Sequence, residues 1–520
     1  MGLPSFLLYK ISKDKLSLIE SIGVTVICES IIFSLVSLFF GYNKFILVLL
    51  VACVAFIMLS FLIYNNFKSK KRAMVDKFPS NKISLNTKIL FFSCAFLVFF
   101  FLPVVTNVPF GVDSQGFGHI ALTVKNGGTI TNLSPYYPDV EWAYSPAFFI
   151  FTAFFSDITG APIHLVMETF SSIIALLLLL SAYEFGRRNK NELFGLLFSF
   201  SMLAGTWLLS AYLDSHYTVI FGTFILMNFL NFLFKAFNKA SSFNILLSIV
   251  SLSGIAYVHP DTIFNLLIAF VPFYFFIFFS KDKIQLKKYI TLFLFIPFMA
   301  VILFLPYLVH VMKVLLNNSF AHAGYYTNIT HLESLLFFGG MLVPFLSIFG
   351  VYYAMKRRST IDIFMVVWFF AIIEFSSIGI IEYIFSFLPI TPLSLLYPLG
   401  VAWHATIIPL PFLAAITIYN LLIYFNRKYA GFYMILKRHL NIFLSAILIL
   451  LMIITLFGHS VLILSKSFPL PLYGEFSSKS DVKAMLWIKD NTPKDSLILN
   501  YPIPPAKYNT SYKRFEGHWV

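Results

Sequence analysis

Charge is scarce in this sequence. Asp, Glu, Lys and Arg make up 12% of its 520 residues and hydrophobic side chains 59%. No soluble core absorbs that much apolar surface, so a water-soluble globular fold is excluded. Cysteine is scarcer still. Cys28, Cys53 and Cys94 all lie in apolar runs, where a thiol packs as a small hydrophobe, and a disulfide framework outside those runs is excluded. No Gly-rich loop of the kind that cradles nucleotide phosphates occurs on the side expected to face the cytoplasm. A removable signal peptide is not expected either, because Lys10, Lys13 and Lys15 precede an apolar stretch long enough to stay in the membrane.

What the sequence does have is repeated apolar runs of about twenty residues, the length a helix needs to cross a bilayer. Thirteen membrane helices are expected, near 20–41, 44–64, 88–108, 163–184, 192–212, 215–236, 242–258, 261–280, 288–311, 333–355, 361–381, 400–424 and 439–463. The 64 Phe and 27 Tyr suit lipid-facing surfaces and interfacial rings. A net charge of +14 would suit nucleic acid, but its distribution points elsewhere. With the N-terminus inside, 26 of the 37 Lys and Arg fall in inner segments, three (Lys44, Lys125, Lys313) in outer loops and eight in the C-terminal tail. That asymmetry implies a multi-pass plasma-membrane protein with a cytoplasmic N-terminus and an exterior C-terminus. Clusters such as Arg187-Arg188 and Lys356-Arg357-Arg358 then read as topology anchors, and no nucleic-acid partner is expected. The sequons at Asn132, Asn317, Asn328 and Asn509 all fall in segments expected outside.

Three parts are expected. Residues 1–87 form an N-terminal hairpin, closed by Gly41-Tyr42-Asn43-Lys44, and a basic cytoplasmic linker. Residues 88–464 form the main transmembrane module, with a long exterior loop over 109–162, and residues 465–520 form a small exterior α/β segment. Within the long loop, Asp113–Val124 reads as an amphipathic helix broken by Asn126-Gly127-Gly128, and Ala147–Phe155 as a helix lying in the outer interface. In the tail, Ser480–Lys489 reads as a helix and Ser496–Tyr501 as a strand.

The outer loops hold eight carboxylates, Asp113, Asp139, Glu141, Asp157, Asp214, Asp261, Glu333 and Glu382, against three Lys. Carboxylates and imidazoles grouped at one membrane face suit cation binding or general-base work. They equally make a solvated acidic rim, the complement of the positive-inside pattern. Asp113 stands at the start of a helix close to a membrane span, where it would face a bilayer-bound substrate or act as a plain N-cap. His119 lies six residues on, not quite on the same face, with Gln115 near the opposite side.

The order of these features carries a resemblance. An exterior Asp in Gly111-Val112-Asp113, a helix reaching Asn126-Gly127-Gly128, a stretch into Tyr144-Ser145-Pro146-Ala147-Phe148, a Gly160-Ala161-Pro162 turn, and a helix ending in Tyr183-Glu184-Phe185-Gly186-Arg187-Arg188 resemble the opening of GT-C glycosyltransferases. The run from Ser480 to Pro493 is similar to the start of the exterior domains that follow the last helix in such proteins. The resemblance covers most of the chain after residue 88 in layout and short stretches in residues. It implies a GT-C-like all-α bundle that transfers a sugar, with inversion, from a polyprenyl- or dolichyl-phosphate-linked donor to a lipid, glycan or protein acceptor at the exterior face. Asp113 would then be the base, and the absent nucleotide loop is consistent with a lipid donor. Some metal-dependent members carry an acidic pair in the second exterior loop, and here that place holds Asp214-Ser215-His216. Asp214 and His216, joined by His259 and Asp261, are thus candidate ligands for a divalent cation (Mn, Mg or Zn), with boundary caps and turns as the alternative. Where members place a basic residue for the lipid phosphate, this chain has Trp403-His404. His404, His119, Gln115, Asp139, Glu141 and His322 complete the candidate substrate-binding set. A non-catalytic protein that binds lipid-linked glycans and a secondary transporter are the competing readings. No paired broken helices favour the transporter.

Overall fold

The computed structural model describes residues 2–12, 15–68, 85–106, 113–279, 286–317, 340–376, 403–428 and 479–493, together with 83, 109 and 496. The expected helix near 439–463, the strand after 496, Glu333, Glu382 and the sequons at Asn328 and Asn509 lie outside the described residues.

The chain is an all-α polytopic membrane protein with a short two-stranded hairpin in its long loop. Seven described helices are long and apolar enough to cross a membrane, or eight if one bent pair is a single span. A short helix α1 (Gly2–Ile11) precedes α2 (Leu18–Phe40) and α3 (Lys44–Lys68), then α4 (Leu85–Thr106). α5 (Asp113–Gly127), the strands β1 (Asn132–Leu133) and β2 (Tyr137–Glu141), and α6 (Ala147–Thr159) form the long loop. The bundle continues with α7 (Ile163–Asn189), α8 (Glu192–Ala204), α9 (Trp207–Leu213), α10 (Tyr217–Asn238), α11 (Ser242–Val258) and α12 (Pro260–Phe279). After α13 (Leu286–Ile290) and a π-turn come α14 (Ile296–Asn317), α15 (Leu342–Arg357), α16 (Thr360–Ser376) and α17 (Pro409–Lys428); α18 (Lys479–Asn491) matches the expected tail helix.

Burial shows where the core sits. The apolar window of α10 is 100% buried, whereas that of α3 is 11% buried, so α10 is the axis of the bundle and α3 lies at its rim. α10 packs on α7, α11, α12 and α2. In a lipid solvent such packing depends on close backbone approach. Gly350 of α15 supplies one such point, where a Cβ would stand 2.1 Å from the carbonyl oxygen of Leu413 on α17.

Two expectations change. The interfacial helix of the long loop is not at an interface: Phe148, Phe149, Ile150, Phe151 and Ala153 are all at most 1% exposed, and α6 is surrounded by α5, α2 and α7. Its polar stripe does not face headgroups or water: Thr152 and Ser156 are buried and donate to the carbonyls of Phe148 at 2.9 Å and Ala161 at 2.6 Å, so the helix can be enclosed by protein without stranding a polar group. The second change is a break in the expected helix near 192–212, where α8 and α9 meet at 46°. Thr206 takes a left-handed φ of 54°, and the turn buries the Trp207 ring completely.

At the end of the bundle opposite the long loop, Glu20 is 1% exposed and joins three helices. Its carboxylate accepts from Asn231 Nδ2 at 2.6 Å, from Arg188 Nη2 at 2.6 Å and from Lys235. It also closes the capping box of α2 by accepting from Ser17 N at 2.8 Å.

Candidate active site

The break between α8 and α9 has a consequence at the other end of α9. Ser215 adopts φ 60°, the left-handed region that reverses a chain within one residue. Its neighbours Asp214 and His216 thereby face one another, with His216 Nε2 3.0 Å from Asp214 Oδ2. From the long loop, the first turn of α5 brings Asp113 Oδ2 to 3.6 Å from the same nitrogen. A carboxylate in that turn is also favoured by the helix dipole. The side chains of Asp113 and Asp214 are 49% and 50% exposed, and His216 behind them is 22% exposed.

Electrostatics follow from this packing. Asp113 keeps an open edge but is closely surrounded by protein atoms, and this desolvation raises its pKa; Asp214 adds to the rise while His216 opposes it. For His216 burial works against the charged form, yet the hydrogen bond and charge of Asp214, with Asp113 and Asp261 beyond, outweigh it and the pKa goes up. Asp261 is the fourth member of this group.

His259 ends α11 and is 4% exposed on its side chain. Its Nδ1 is 3.1 Å from the hydroxyl of Thr262, and its Nε2 is 4.0 Å from Asp261 Oδ2. Burial holds its pKa down at about 4, so the ring is neutral. Gly222 of α10 makes room for this turn: a Cβ there would lie 2.4 Å from Thr262 Oγ1 and 2.9 Å from His259 Cβ. His404, in a 3-10 turn over Trp403–Ile407, places its ring 6.0 Å from that of His216 and 6.1 Å from that of His259. Three imidazoles thus form a row beneath the carboxylates.

The remaining candidates lie elsewhere. His119 is buried against Tyr136 and Tyr137 of the hairpin, at ring separations of 5.7 and 5.9 Å. Gln115 is half-buried on α5. Asp139 and Glu141 share one face of β2 by their spacing; Asp139 is exposed, and Glu141 pairs with Lys313 of α14 at 3.3 Å. His322 lies outside the described residues. Sequence reasoning passed over Tyr144 and Thr262. The Tyr144 ring is 6.0 Å from His259, and its hydroxyl is 3.0 Å from Thr218 Oγ1 at the start of α10. Thr262 had a usable signal, since it stands three residues after His259 at the start of a helix.

No group of three His, Cys, Asp or Glu side chains is already arranged as a metal cage among the described residues. Of the two donor spacings at His216, one lies in the range of a metal's ligands and the other just beyond it. Ligands about 2.1 Å from a metal lie about 3.0–3.5 Å from each other in cis-octahedral or tetrahedral geometry, and His216 Nε2 stands 3.0 Å from Asp214 and 3.6 Å from Asp113.

No family model and no curated protein matches the chain. Solved structures do. The chain superimposes on the oligosaccharyltransferase of Archaeoglobus fulgidus in its apo form with a TM-score of 0.51 and 12% identity, over 78% of this chain and 58% of that one. The fold is that of the GT-C glycosyltransferases. The archaeal oligosaccharyltransferase AglB from Archaeoglobus fulgidus, in complex with an inhibitory peptide and a dolichol-phosphate, gives a TM-score of 0.50 and 13% identity, over 79% of this chain and 58% of that one. ArnT from Cupriavidus metallidurans, bound to undecaprenyl phosphate, gives a TM-score of 0.48 and 14% identity, over 64% and 60%. The GT-C fold here thus spans little more than half the length of the oligosaccharyltransferase it matches.

Proposed function

We propose that the chain is a membrane glycosyltransferase that moves a sugar from a polyprenyl- or dolichyl-phosphate-linked donor to a lipid, glycan or protein acceptor at the exterior face. The observation that carries this reading is the meeting of Asp113, Asp214, His216 and Asp261, from three separate loops, at the long-loop end of a GT-C bundle. The orientation follows the positive-inside asymmetry, which puts that end outside.

In this account Asp113 removes the proton from the acceptor hydroxyl as its oxygen attacks the anomeric carbon. The bond from that carbon to the lipid phosphate breaks on the opposite side, and the configuration inverts. A half-exposed carboxylate beside an imidazole has both the access and the basicity for the task. Asp214 and His216, with Asp261 beside them, are the residues that would hold a divalent cation, which when bound offsets charge on the departing phosphate. The left-handed turn at Ser215 orients the two ligands, and neutral His259 and buried His404 hold the floor beneath them.

The test is transfer of labelled sugar from a panel of polyprenyl-phosphate donors in reconstituted membranes, with and without Asp113→Asn. Transfer by the native chain that the substitution abolishes, folding retained, supports the reading. Donor binding without turnover would make the chain a non-catalytic binder of lipid-linked glycans.

A further inference from the structure

The loop that carries Asp113 is held from a distance. Asp113 opens α5, and twelve residues later the last turn of the same helix carries Lys125, about 18 Å away at 1.5 Å per residue. Lys125 Nζ donates to Ser156 Oγ at 2.9 Å and pairs with Asp157 Oδ1 at 3.5 Å, both at the end of α6. Ser156 Oγ in turn donates to the carbonyl of Ala161 at 2.6 Å. The third partner comes from far away in sequence: Tyr42, in the turn between α2 and α3, donates its hydroxyl to Asp157 Oδ2 at 2.7 Å. Its backbone N–H donates to the carbonyl of Gly128, just past α5, at 2.6 Å. This approach is tight. Gly41 has φ 74°, and a Cβ there would stand 2.8 Å from the Gly128 oxygen. Tyr42 is 9% exposed, so these bonds are sheltered from water.

We infer that the Tyr42–Asp157–Lys125 cluster is a clamp through which the N-terminal hairpin fixes α5, making Tyr42 and Asp157 positioning residues that hold Asp113 opposite His216. A helix is stiff along its axis, so fixing its C-terminal end fixes its first turn; releasing that end lets the first turn drift. The inference rests on the proposed role of Asp113, but the clamp itself can be read without any enzymology.

The experiment uses the full chain, with Cys28, Cys53 and Cys94 replaced and one cysteine introduced by Gly116→Cys, where an added Cβ meets nothing within 4 Å. A nitroxide on that cysteine reports the motion of the first turns of α5 in reconstituted membranes. Tyr42→Phe keeps the ring and removes only the hydroxyl bond, and Asp157→Asn removes the charge that Lys125 faces. Both variants are expected to mobilise the label without lowering the thermal midpoint. In sugar transfer both are expected to lower kcat about tenfold to a hundredfold, as loss of alignment does, with the donor KM unchanged. A label spectrum identical to that of the native chain overturns the clamp, and so does a mobilised label with kcat unchanged. If the native chain transfers no sugar from any donor, the proposed function fails, while the label comparison still decides the clamp.

Discussion

Glu20→Met is expected to destabilise the protein through a partner it leaves behind. Glu20 is 1% exposed and accepts from Lys235, Arg188, Asn231 and the backbone of Ser17. Breaking a buried ion pair by removing one partner costs about 3–5 kcal/mol, mostly because the other charge is stranded. Two features lower the figure here. Arg188 keeps a second carboxylate, Glu184 at 2.7 Å, and Lys235 is 18% exposed at a helix end. The expected loss is therefore near the lower bound, about 3 kcal/mol, of which the broken capping box contributes about 1 kcal/mol. The assay is equilibrium unfolding in mixed micelles followed by circular dichroism, applied as a double-mutant cycle. Adding Lys235→Met removes the stranded cation and is expected to restore about half of the loss or more, giving a coupling of about 1.5 kcal/mol or more. Additive losses, or a single substitution with no effect, would refute the claim that this carboxylate ties α2, α7 and α10 together.

Other outcomes are equally specific. Chelation is expected to abolish sugar transfer and added Mn, Mg or Zn to restore it, while Asp214→Ala and His216→Ala stay inactive at every metal concentration; activity indifferent to chelators would remove the cation from the mechanism. Gly222→Ala inserts a Cβ 2.9 Å from His259 Cβ, so it is expected to cost about 1–3 kcal/mol by overpacking and to lower transfer as well, whereas the same change at Gly116 meets open space and is expected to leave the fold unchanged. Lys313→Ala breaks an ion pair in which the lysine is 63% exposed, and thermal unfolding is expected to shift by less than about 1 kcal/mol.

Much of the fold was legible because crossing a bilayer imposes a length and a composition that few other structures share. The apolar runs near 20–41, 163–184 and 215–236 coincide with α2, α7 and α10 within a few residues. The placement of α6 was misread because a buried helix and an interfacial helix are both short and aromatic, and because Thr152 and Ser156 bond to backbone carbonyls rather than to water, a choice that composition does not reveal. The break between α8 and α9 depends on a left-handed Thr206, and a threonine gives no warning of that conformation. At the site, Asp113, Asp214 and His216 could be singled out as polar residues at helix boundaries on one side of the membrane. Their approach could not, because the 3.0 Å distance from Asp214 to His216 depends on a left-handed Ser215 and the 3.6 Å distance from Asp113 arises from packing between α5 and the α9–α10 turn, about a hundred residues apart in the chain. The row of His216, His404 and His259 is likewise tertiary, with His404 joining from nearly two hundred residues away.

The central claim is that Asp113 acts as the base in sugar transfer at this site. The most direct measurement compares labelled-sugar transfer by the native chain and by Asp113→Asn, each reconstituted with polyprenyl-phosphate donors and checked for an unchanged thermal midpoint. The account predicts transfer by the native chain and a loss of about a hundredfold or more in the variant. Equal rates from the two proteins would contradict it.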